Sequence, residues 1–330
     1  MTKILMIATG GTIASKPTAT GLTPLLSSKE LLEKIPSVKG ICEVTTIPLF
    51  NLDSTNVSPS HWLEIVNCIK ENYNNFDGFV ITHGTDTMAY TAAALSYLIQ
   101  NSKKPIILTG SQKSIYEENT DARTNLLHAF LYASSIESHG VNIMFNGQAI
   151  IGTRARKIRT KSFNAFTSVD YPAAAVIRDN RIIRYIKDIP YACTPTFSHT
   201  MVERVFLLKL IPGLSANIFS CLKIDYDIII IEGFGVGGIP IYQNSSYLSA
   251  IEDWIASGKL IVMTTQVPLE GSDMEVYQVG YRAKKDYQVL EAYNMTLEAT
   301  VTKLMWILGQ TRNNLEIRRL FYKPICYDHI

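Results

Sequence analysis

The chain has little net charge and no concentration of basic residues. Its 330 residues include 31 Lys and Arg against 29 Asp and Glu, which gives a formal net charge of +2. Proteins that hold nucleic acid through phosphate contacts carry basic patches or stripes. The composition therefore argues against a nucleic-acid partner. It leaves room for a small zwitterionic or anionic substrate, which needs only a local cluster of hydrogen-bond donors.

Cysteine and histidine are also sparse, and neither shows a ligand pattern. The five cysteines are odd in number and contain no C-x-x-C pair: Cys42, Cys68, Cys193, Cys221 and Cys326. The six histidines lack the spacing of a metal site, such as two on one helix face. We therefore predict no disulfide framework, no metal and no metal-dependent chemistry, with free thiols in a reducing cytosol.

Long apolar runs are absent as well. No stretch approaches the roughly 18 apolar residues that a membrane span requires. Lys3 before the apolar run Ile4–Ala8 resembles the start of a signal peptide, but Gly10 and Gly11 end that run at once. We expect a cytoplasmic protein with no membrane partner.

Short apolar runs that alternate with segments of helical period are present throughout, as is typical of a parallel α/β fold. Four runs are continuous in apolar character, as strands covered on both faces are: Ile4–Ala8, Phe79–Thr82, Ile106–Thr109 and Asn142–Phe145. Helices are predicted from Ser58 and Pro59, which suit an N-cap and a first helical position, over Met88–Gln100 and over Ala122–Glu137.

The pattern repeats more briefly in the second half, with strands at Asp227–Ile231 and Leu260–Thr264 and helices at Tyr247–Ser257 and Thr296–Leu308. Turn signals around Thr194–Gly213 indicate a passage between domains, although Val205–Ile211 also has strand character. The predicted architecture is α/β: a larger N-terminal domain with a doubly wound, mostly parallel sheet (1–190), a linker (191–212) and a smaller C-terminal parallel α/β domain (213–330).

Three polar clusters directly follow predicted strands: Thr9–Thr12, His83–Thr87 and Gly110–Gln112. In open parallel sheets, ligands bind beyond the carboxyl ends of the strands. Glycine allows close backbone approach, hydroxyl groups supply nucleophiles or hydrogen bonds, and helix N-termini favour anions. Any one cluster alone is also ordinary turn and cap chemistry. Three successive clusters favour a site but do not name a reaction.

At these residues the sequence resembles the bacterial-type asparaginase/glutaminase family, in particular its cytoplasmic type I branch. Thr9–Ala14 resembles the first family signature, and Gly78–Met88 resembles the second. The resemblance extends over essentially the whole chain. It includes a substrate-clamping turn at Leu52–Ser54, a lysine segment at Gly152–Lys157 and a late helix at Thr296–Leu304.

The resemblance implies an L-asparaginase that forms an acyl-enzyme on a threonine, with no metal or organic cofactor. Thr12 is then the nucleophile, and Thr85 is hydrogen-bonded to Asp86 and Lys157. Asp86 receives the α-ammonium of the substrate L-asparagine, and Ser54 donates to its α-carboxylate. The remaining residues expected to bind substrate are Asp53, Thr55, Gly84 and Ser111. By the same resemblance the chain forms a homodimer or homotetramer.

Several residues have a second interpretation. Lys157 lies among Arg154, Arg156, Arg159 and Lys161 and fits a solvated basic loop, whereas His83 fits a structural turn residue better than a catalyst. Leu22 stands where family members often carry a lid tyrosine, so either another hydroxyl activates Thr12 or the Thr85 side does. The segment Ser15–Pro24 still suits a lid.

Four other functions compete with this one. A glutaminase or mixed activity differs by one methylene of substrate. Gly233–Gly238 formally matches G-x-G-x-x-G, which makes a dinucleotide-dependent dehydrogenase a rival hypothesis. Two features count against it, because Pro240 interrupts the expected helix and no ribose-binding acid follows the next strand. A non-catalytic amino-acid-binding protein is the third, because such a protein needs no lid tyrosine at the position of Leu22. The amidase component of a tRNA-dependent amidotransferase shares the signatures but usually has an additional N-terminal domain.

Overall fold

The computed structural model describes residues 1–18, 21–24, 28–187, 194–240, 247–276, 280, 284–285 and 287–329, with only the backbone at 16–18, 21–24 and 28. The chain divides into two compact units, Met1–His199 and Thr200–Ile330. Residues 191–193 of the predicted linker and the side chain of Leu22 lie outside what is described.

The first unit is built on an eight-stranded sheet. Its strands are β1 (Thr2–Gly10), β4 (Cys42–Leu52), β5 (Gly78–Thr82), β7 (Pro105–Thr109), β8 (Gly140–Phe145), β9 (Gln148–Ile151), β12 (Ala175–Arg178) and β13 (Arg181–Arg184). Their order is β13-β12-β9-β8-β7-β5-β1-β4. Pairs from β4 to β8 are parallel, and those from β8 to β13 are antiparallel. The predicted large, mostly parallel sheet is confirmed.

Small antiparallel pairs accompany this sheet: β2 (Ser15–Thr18) with β3 (Gly21–Pro24), β6 (Ile99–Gln100) with β14 (Thr196–Phe197), and β10 (Ala155–Lys157) with β11 (Phe166–Ser168). The segment predicted as a lid is therefore a hairpin in its described backbone. Every residue of β5 and β7 is buried, in keeping with central strands covered on both faces.

Helices of the first unit are α1 (Ser28–Glu33), α2 (Pro59–Asn72), α3 (Met88–Leu98) and α4 (Ala122–Ala133), with 3-10 turns at Thr12–Ala14, Pro36–Gly40 and Ser54–Asn56. Helix α2 begins as predicted, because Pro59 takes the first position and the Ser58 backbone N–H bonds His61 Nδ1 at 3.1 Å. Helix α3 ends two residues earlier than predicted, because Ile99 and Gln100 pair with β14 instead.

The second unit has its own parallel sheet in the order β15-β16-β17-β18 (Val205–Lys209, Ile228–Gly233, Leu260–Thr265 and Leu290–Glu291). Its described helices are α5 (Ile218–Leu222), α6 (Tyr247–Ala256), α7 (Leu297–Gln310) and α8 (Asn314–Tyr322). Trp254 is fully buried in its core. The predicted smaller parallel domain is confirmed, and its first strand lies inside the segment 191–212, where the apolar run pairs with β16.

The connection of the first sheet creates a topological switch point beside β1. After β1 the chain forms β4 on one side of it and then β5 on the other. The chain connections therefore run to opposite sides of β1 and create a crevice at the carboxyl ends of the strands, where ligands bind in open α/β sheets. Two of the three polar clusters, and the turn that begins at Asp53, lie at these ends.

Candidate active site

A small polar cavity of about 50 Å³ lies at the switch point. The loops after β1, β4 and β5 supply its lining: Gly11, Thr12, Ser15, Asp53, Ser54, Gly84, Thr85 and Asp86. A larger groove of about 430 Å³ elsewhere in the first unit is lined mainly by apolar side chains, including Leu32, Ile35 and Val38. The switch-point cavity is the better candidate, because hydroxyl and carboxylate groups converge there.

Two glycines let the three loops touch. Gly11 has a φ of +83°, and a Cβ placed on it would lie 2.4 Å from the backbone nitrogen of Gly84. A Cβ on Gly84 would lie 2.6 Å from the Cβ of Ser54. Both distances are far below van der Waals contact, so a side chain at either position forces the loops apart. Glycine at these two positions therefore sets the width of the cavity.

Hydrogen bonds between the loops hold them in this arrangement. The Gly11 N–H donates to the Leu52 carbonyl at 3.0 Å. The Thr9 hydroxyl donates to the Thr82 carbonyl, and the Thr87 hydroxyl donates to the Ser54 carbonyl, each at 2.7 Å. Each bond joins strand ends or the turns beyond them that are distant in sequence, so the carboxyl ends of β1, β4 and β5 form one hydrogen-bonded unit.

A lysine reaches the cavity wall from outside these loops. Lys157 ends β10, which pairs with β11, and its side chain is 15 % exposed. Its Nζ donates to Thr85 Oγ1 at 2.8 Å and to Asp86 Oδ1 at 2.6 Å. Lys157 contacts Thr85, whereas Lys161, the other lysine of this basic segment, is exposed. The structure thus brings Thr85, Asp86 and Lys157 together.

The other residues predicted to bind substrate differ in position. Ser54 is buried and lines the cavity with Asp53. Asp53 Oδ1 accepts bonds from the backbone N–H and the hydroxyl of Thr55, both at 2.9 Å, and Thr55 itself is exposed. Ser111 is buried and donates to the Lys113 carbonyl. Neither Thr55 nor Ser111 lines the cavity, and their roles stay predictions.

Ser15 is not among the site residues predicted from the sequence, but it lines the cavity and its hydroxyl donates to the Gly11 carbonyl at 3.0 Å. Gln112 is also not among them, and its Oε1 accepts the Thr85 hydroxyl at 3.2 Å. The position of Gln112 as the last residue of the third strand-end cluster, Gly110–Gln112, was the available signal. Its contact with Thr85 depends on how separate loops meet, which residue spacing does not reveal.

His83 lies behind the second loop and is fully buried. Its Nδ1 bonds the Gly84 carbonyl at 2.7 Å, and its Nε2 bonds the Thr91 hydroxyl at 3.0 Å, which also accepts Trp62 Nε1–H at 2.9 Å. Burial lowers its pKa from 6.5 to about 4, while the bond to the Gly84 carbonyl acts in the opposite direction. His83 is therefore neutral at pH 7 and supports the loop from behind.

The Gly-rich segment of the second unit closes on itself. After β16, the backbones of Phe234 and Gly238 exchange hydrogen bonds at 2.9 and 2.6 Å. Gly235 and Gly237 both have positive φ. The described backbone from Gly233 to Pro240 forms a tight turn and opens no helix, whereas a dinucleotide-binding fingerprint requires a helix N-terminus there.

Within the described ranges, no three His, Cys, Asp or Glu side chains lie close enough together to hold a metal ion. None of the helices in the described part of the chain combines the length and apolar character needed to cross a bilayer.

Comparisons with known proteins identify the family of the chain. The family model described as "Asparaginase, N-terminal" matches residues 3–190, and "Glutaminase/Asparaginase C-terminal domain" matches residues 204–321. The chain is 38% identical to an L-asparaginase of Thermococcus kodakarensis, over 98% of each chain. It is 33% identical to a Glutamyl-tRNA(Gln) amidotransferase component of Metallosphaera sedula, over 99% of this chain and 76% of that one.

Solved structures show the same likeness. The thermostable L-asparaginase from Thermococcus kodakarensis matches with a TM-score of 0.91 at 38% identity, over 99% of this chain and 98% of that chain. L-asparaginase I from Vibrio cholerae matches with a TM-score of 0.88 at 28% identity, over 100% and 99%. By both of its domains, by full-length relatives and by fold, the chain belongs to the asparaginase family.

Proposed function

We propose that this protein is an L-asparaginase that converts L-asparagine to L-aspartate and ammonia. The observation that carries the proposal is that two threonines, Thr12 and Thr85, line one cavity while the Lys157 ammonium lies 2.8 Å from the Thr85 hydroxyl. A threonine nucleophile needs a neighbouring group that exchanges protons with it, and a lysine does so by giving up an ammonium proton and taking one back as the amine. Full-length relatives named L-asparaginase support the same activity.

In the proposed reaction, the Thr12 hydroxyl oxygen attacks the side-chain amide carbon of the substrate. The hydroxyl proton passes through the surrounding polar groups to the leaving nitrogen, and the C–N bond breaks to release ammonia. An aspartyl ester on Thr12 remains. Water then adds to this ester, aspartate leaves, and the proton returns to Thr12. Thr85 and Lys157 serve these proton transfers.

The carboxylate of Asp86 suits the α-ammonium of the substrate, since its side chain is 59 % exposed and Lys157 holds one of its two oxygens. Ser54 suits the α-carboxylate, because its buried position fixes it within the cavity lining. Together these two contacts select a free amino acid over an amide within a peptide. Backbone N–H groups near Thr12 and Thr85 are the proposed oxyanion donors.

The test is ammonia release from L-asparagine, L-glutamine and asparagine blocked at its amino or carboxyl group, with and without EDTA. We expect turnover of free asparagine, little turnover of blocked analogues, and no effect of EDTA. Thr12→Ala is expected to lose at least about a thousandfold in kcat, because it removes the nucleophile. Thr46→Ala, a half-buried threonine of β4 outside the cavity, is the matched control.

Glutaminase activity and a role in transamidation are the two main alternatives to this proposal. Glutamine differs by one methylene, worth about 1–3 kcal/mol in a fitted pocket, so a mixed activity is decided by the ratio of kcat/KM for the two amides. The likeness to the amidotransferase component favours, as a second candidate, a role in transamidation. Absence of ammonia release from either free amino acid, with asparagine binding retained, supports that role or a non-catalytic binding protein instead.

A homodimer or homotetramer and a cytoplasmic location are part of the same proposal. Static light scattering of the purified chain measures the first, and fractionation of the producing cell measures the second. A monomer that retains full asparaginase activity contradicts the proposed assembly.

A further inference from the structure

Gln112 is held firmly by its backbone just beyond the end of β7. Its N–H lies 3.1 and 3.0 Å from the two carboxylate oxygens of Asp121, one of which also accepts the Lys113 N–H at 3.2 Å. Asp121 is only 7% exposed and stands at the N-cap of α4. Burial raises the pKa of Asp121, and the hydrogen bonds it accepts oppose that effect. The loop therefore presents the Gln112 side chain from a fixed base.

The chemistry around the side-chain amide decides which way it faces. Its Nε2 lies 3.2 Å from the Ser162 carbonyl and 3.4 Å from the Arg159 carbonyl. Carbonyl oxygens only accept hydrogen bonds, so the NH₂ end must point to them. The Oε1 end is consequently left facing Thr85, whose hydroxyl lies 3.2 Å away.

The Thr85 hydroxyl has one proton, and its direction follows from its two neighbours. The Lys157 ammonium has no lone pair and can only donate to Thr85 Oγ1, at 2.8 Å. The amide oxygen of Gln112 can only accept. The hydroxyl proton of Thr85 therefore points to Gln112, and its lone pair faces Lys157. The result is a directed chain from Lys157 through Thr85 to Gln112.

We propose that Gln112 is a positioning residue for the reaction, acting through Thr85 to fix the rotamer and the proton direction of its hydroxyl. This inference rests on the proposed asparaginase function. Gln112 does not line the cavity, so it is not expected to contribute to substrate affinity. Its loss leaves the Thr85 hydroxyl free to rotate away from Lys157 and lowers the rate of the chemical step.

The experiment compares Gln112→Met, which removes both ends of the amide, with Gln112→Glu, which keeps an acceptor towards Thr85 but no donor. Gln100→Met is the matched control, since Gln100 Nε2 also donates to a carbonyl, that of Tyr97 at 3.0 Å. We expect Gln112→Met to lower kcat by about 10- to 100-fold, as a misplaced catalytic group does, with KM within about twofold of the wild type. Gln112→Glu should keep several-fold more kcat than Gln112→Met, and the control should match the wild type.

A Gln112→Met protein with wild-type kcat overturns the inference. A Gln112→Glu protein with a kcat as low as that of Gln112→Met also overturns it, since a purely structural anchor predicts equal loss of kcat in the two variants. Both variants are expected to fold, because the carbonyls of Arg159 and Ser162 lie in an exposed segment where water can replace the lost donor. A crystal structure of the wild type with L-aspartate gives an independent check, in which an Oε1–Oγ1 separation beyond hydrogen-bonding distance contradicts the proposal. A wild-type protein that releases no ammonia from asparagine or glutamine overturns the proposed function instead.

Discussion

At the scale of single residues, the role of Lys157 could not be decided from its position in the sequence alone. Four other basic residues surround it in the chain, and a basic surface loop was a fair interpretation of the segment. Its Nζ contacts Thr85 and Asp86, and its side chain is mostly withdrawn from solvent. A short strand, β10, directs it there. The proposed role therefore depends on backbone pairing that the local composition does not reveal.

Lys157→Met tests this role. Methionine fills a similar volume but cannot exchange a proton, so kcat should fall by about a hundredfold or more, as for loss of a general acid–base group. Steady-state ammonia release measures the effect, with Lys161→Met as control because that side chain is exposed. If Lys161→Met is the inactive variant and Lys157→Met is not, the lysine has been assigned wrongly.

His83 provides a pH-dependent prediction. Its pKa is about 4 in the folded chain and about 6.5 when unfolded, so the unfolded state binds a proton first as the pH falls. Its contribution to stability is therefore complete above about pH 6.5 and is lost as the pH falls towards 4. The loss amounts to about 3 kcal/mol in the free energy of unfolding.

The measurement is urea unfolding of the wild type and of His83→Gln, which cannot titrate, between pH 7 and pH 4. The free energy of unfolding of the wild type should fall relative to that of His83→Gln as the pH is lowered. A difference that stays constant over this range means that His83 is not held neutral by burial.

Residues whose roles depend on local sequence were predicted more readily than those that depend on contacts between loops. Thr12, Thr85 and Asp86 lie within two long signatures, and all three line the cavity. Gln112 and Ser15 carry no such signature, and their positions follow from how the loops pack. The question raised by Leu22 stays open, because its side chain lies outside the described residues.

At the scale of secondary-structure elements, the contact of three strand-end loops is the feature that makes the cavity. Gly11→Ala should open this contact, since its Cβ would lie 2.4 Å from the Gly84 nitrogen. Gly213→Ala is a matched control: Gly213 has the same φ of +83°, but nothing lies within 4 Å of its Cβ position. With this φ, Gly11 has a ψ of 177°, a conformation that essentially only glycine adopts, so Gly11→Ala adds backbone strain to the displacement of a loop, whereas the Cβ of Gly213→Ala meets no neighbour.

We therefore expect Gly11→Ala to be the less stable of the two proteins in thermal unfolding, and only Gly11→Ala to lose most of its kcat/KM. Equal activity in the two variants means that the loop contact does not set the geometry of the site.

Strand β4 was not predicted from the sequence pattern. Its burial alternates irregularly and it contains Pro48, so it lacks the continuous apolar run that marks β5 and β7. Edge strands tolerate proline and polar residues, because one side makes no ladder hydrogen bonds. The turn at Asp53 was therefore predictable through family resemblance and not through the strand that precedes it.

At the scale of the whole molecule, each unit carries its own sheet, mostly parallel in the first unit and parallel in the second, and the second unit contains a fully buried ion pair. Lys303 on α7 and Asp328 near the carboxyl terminus are 2.6 Å apart, and neither side chain is exposed. Lys303 Nζ also donates to the Lys323 carbonyl at 2.8 Å, and Asp328 accepts the Ile325 N–H at 2.8 Å. The pair thus fastens the last residues of the chain to α7.

Asp328→Ala should leave the Lys303 ammonium buried without its carboxylate and lower the free energy of unfolding of the second unit by about 3–5 kcal/mol. Urea unfolding followed by tryptophan fluorescence measures this, since Trp254 and Trp306 are buried in that unit. Glu316→Gln, which breaks the exposed pair with Arg319, should leave the transition where it is. Equal transitions in the two variants contradict a stabilising role for the buried pair.

The chain-wide architecture was predictable because apolar runs and helical periods repeat in both halves. The buried ion pair of Lys303 and Asp328 was not predictable, since neither residue stands out by spacing or motif. The division 1–190, 191–212 and 213–330 stays a proposal about domains, and limited proteolysis with sequencing of the fragments measures where the chain is accessible.

The central claim is that Thr12 becomes covalently acylated in the cavity it shares with Thr85. Acid quenching during turnover of L-asparagine, followed by proteolysis and mass spectrometry, tests this most directly. We predict an aspartyl ester on the peptide that contains Thr12, and none in the Thr12→Ala protein. Active enzyme with the aspartyl group on the Thr85 peptide, or with no adduct on either peptide under conditions where ammonia release shows a burst, contradicts the account.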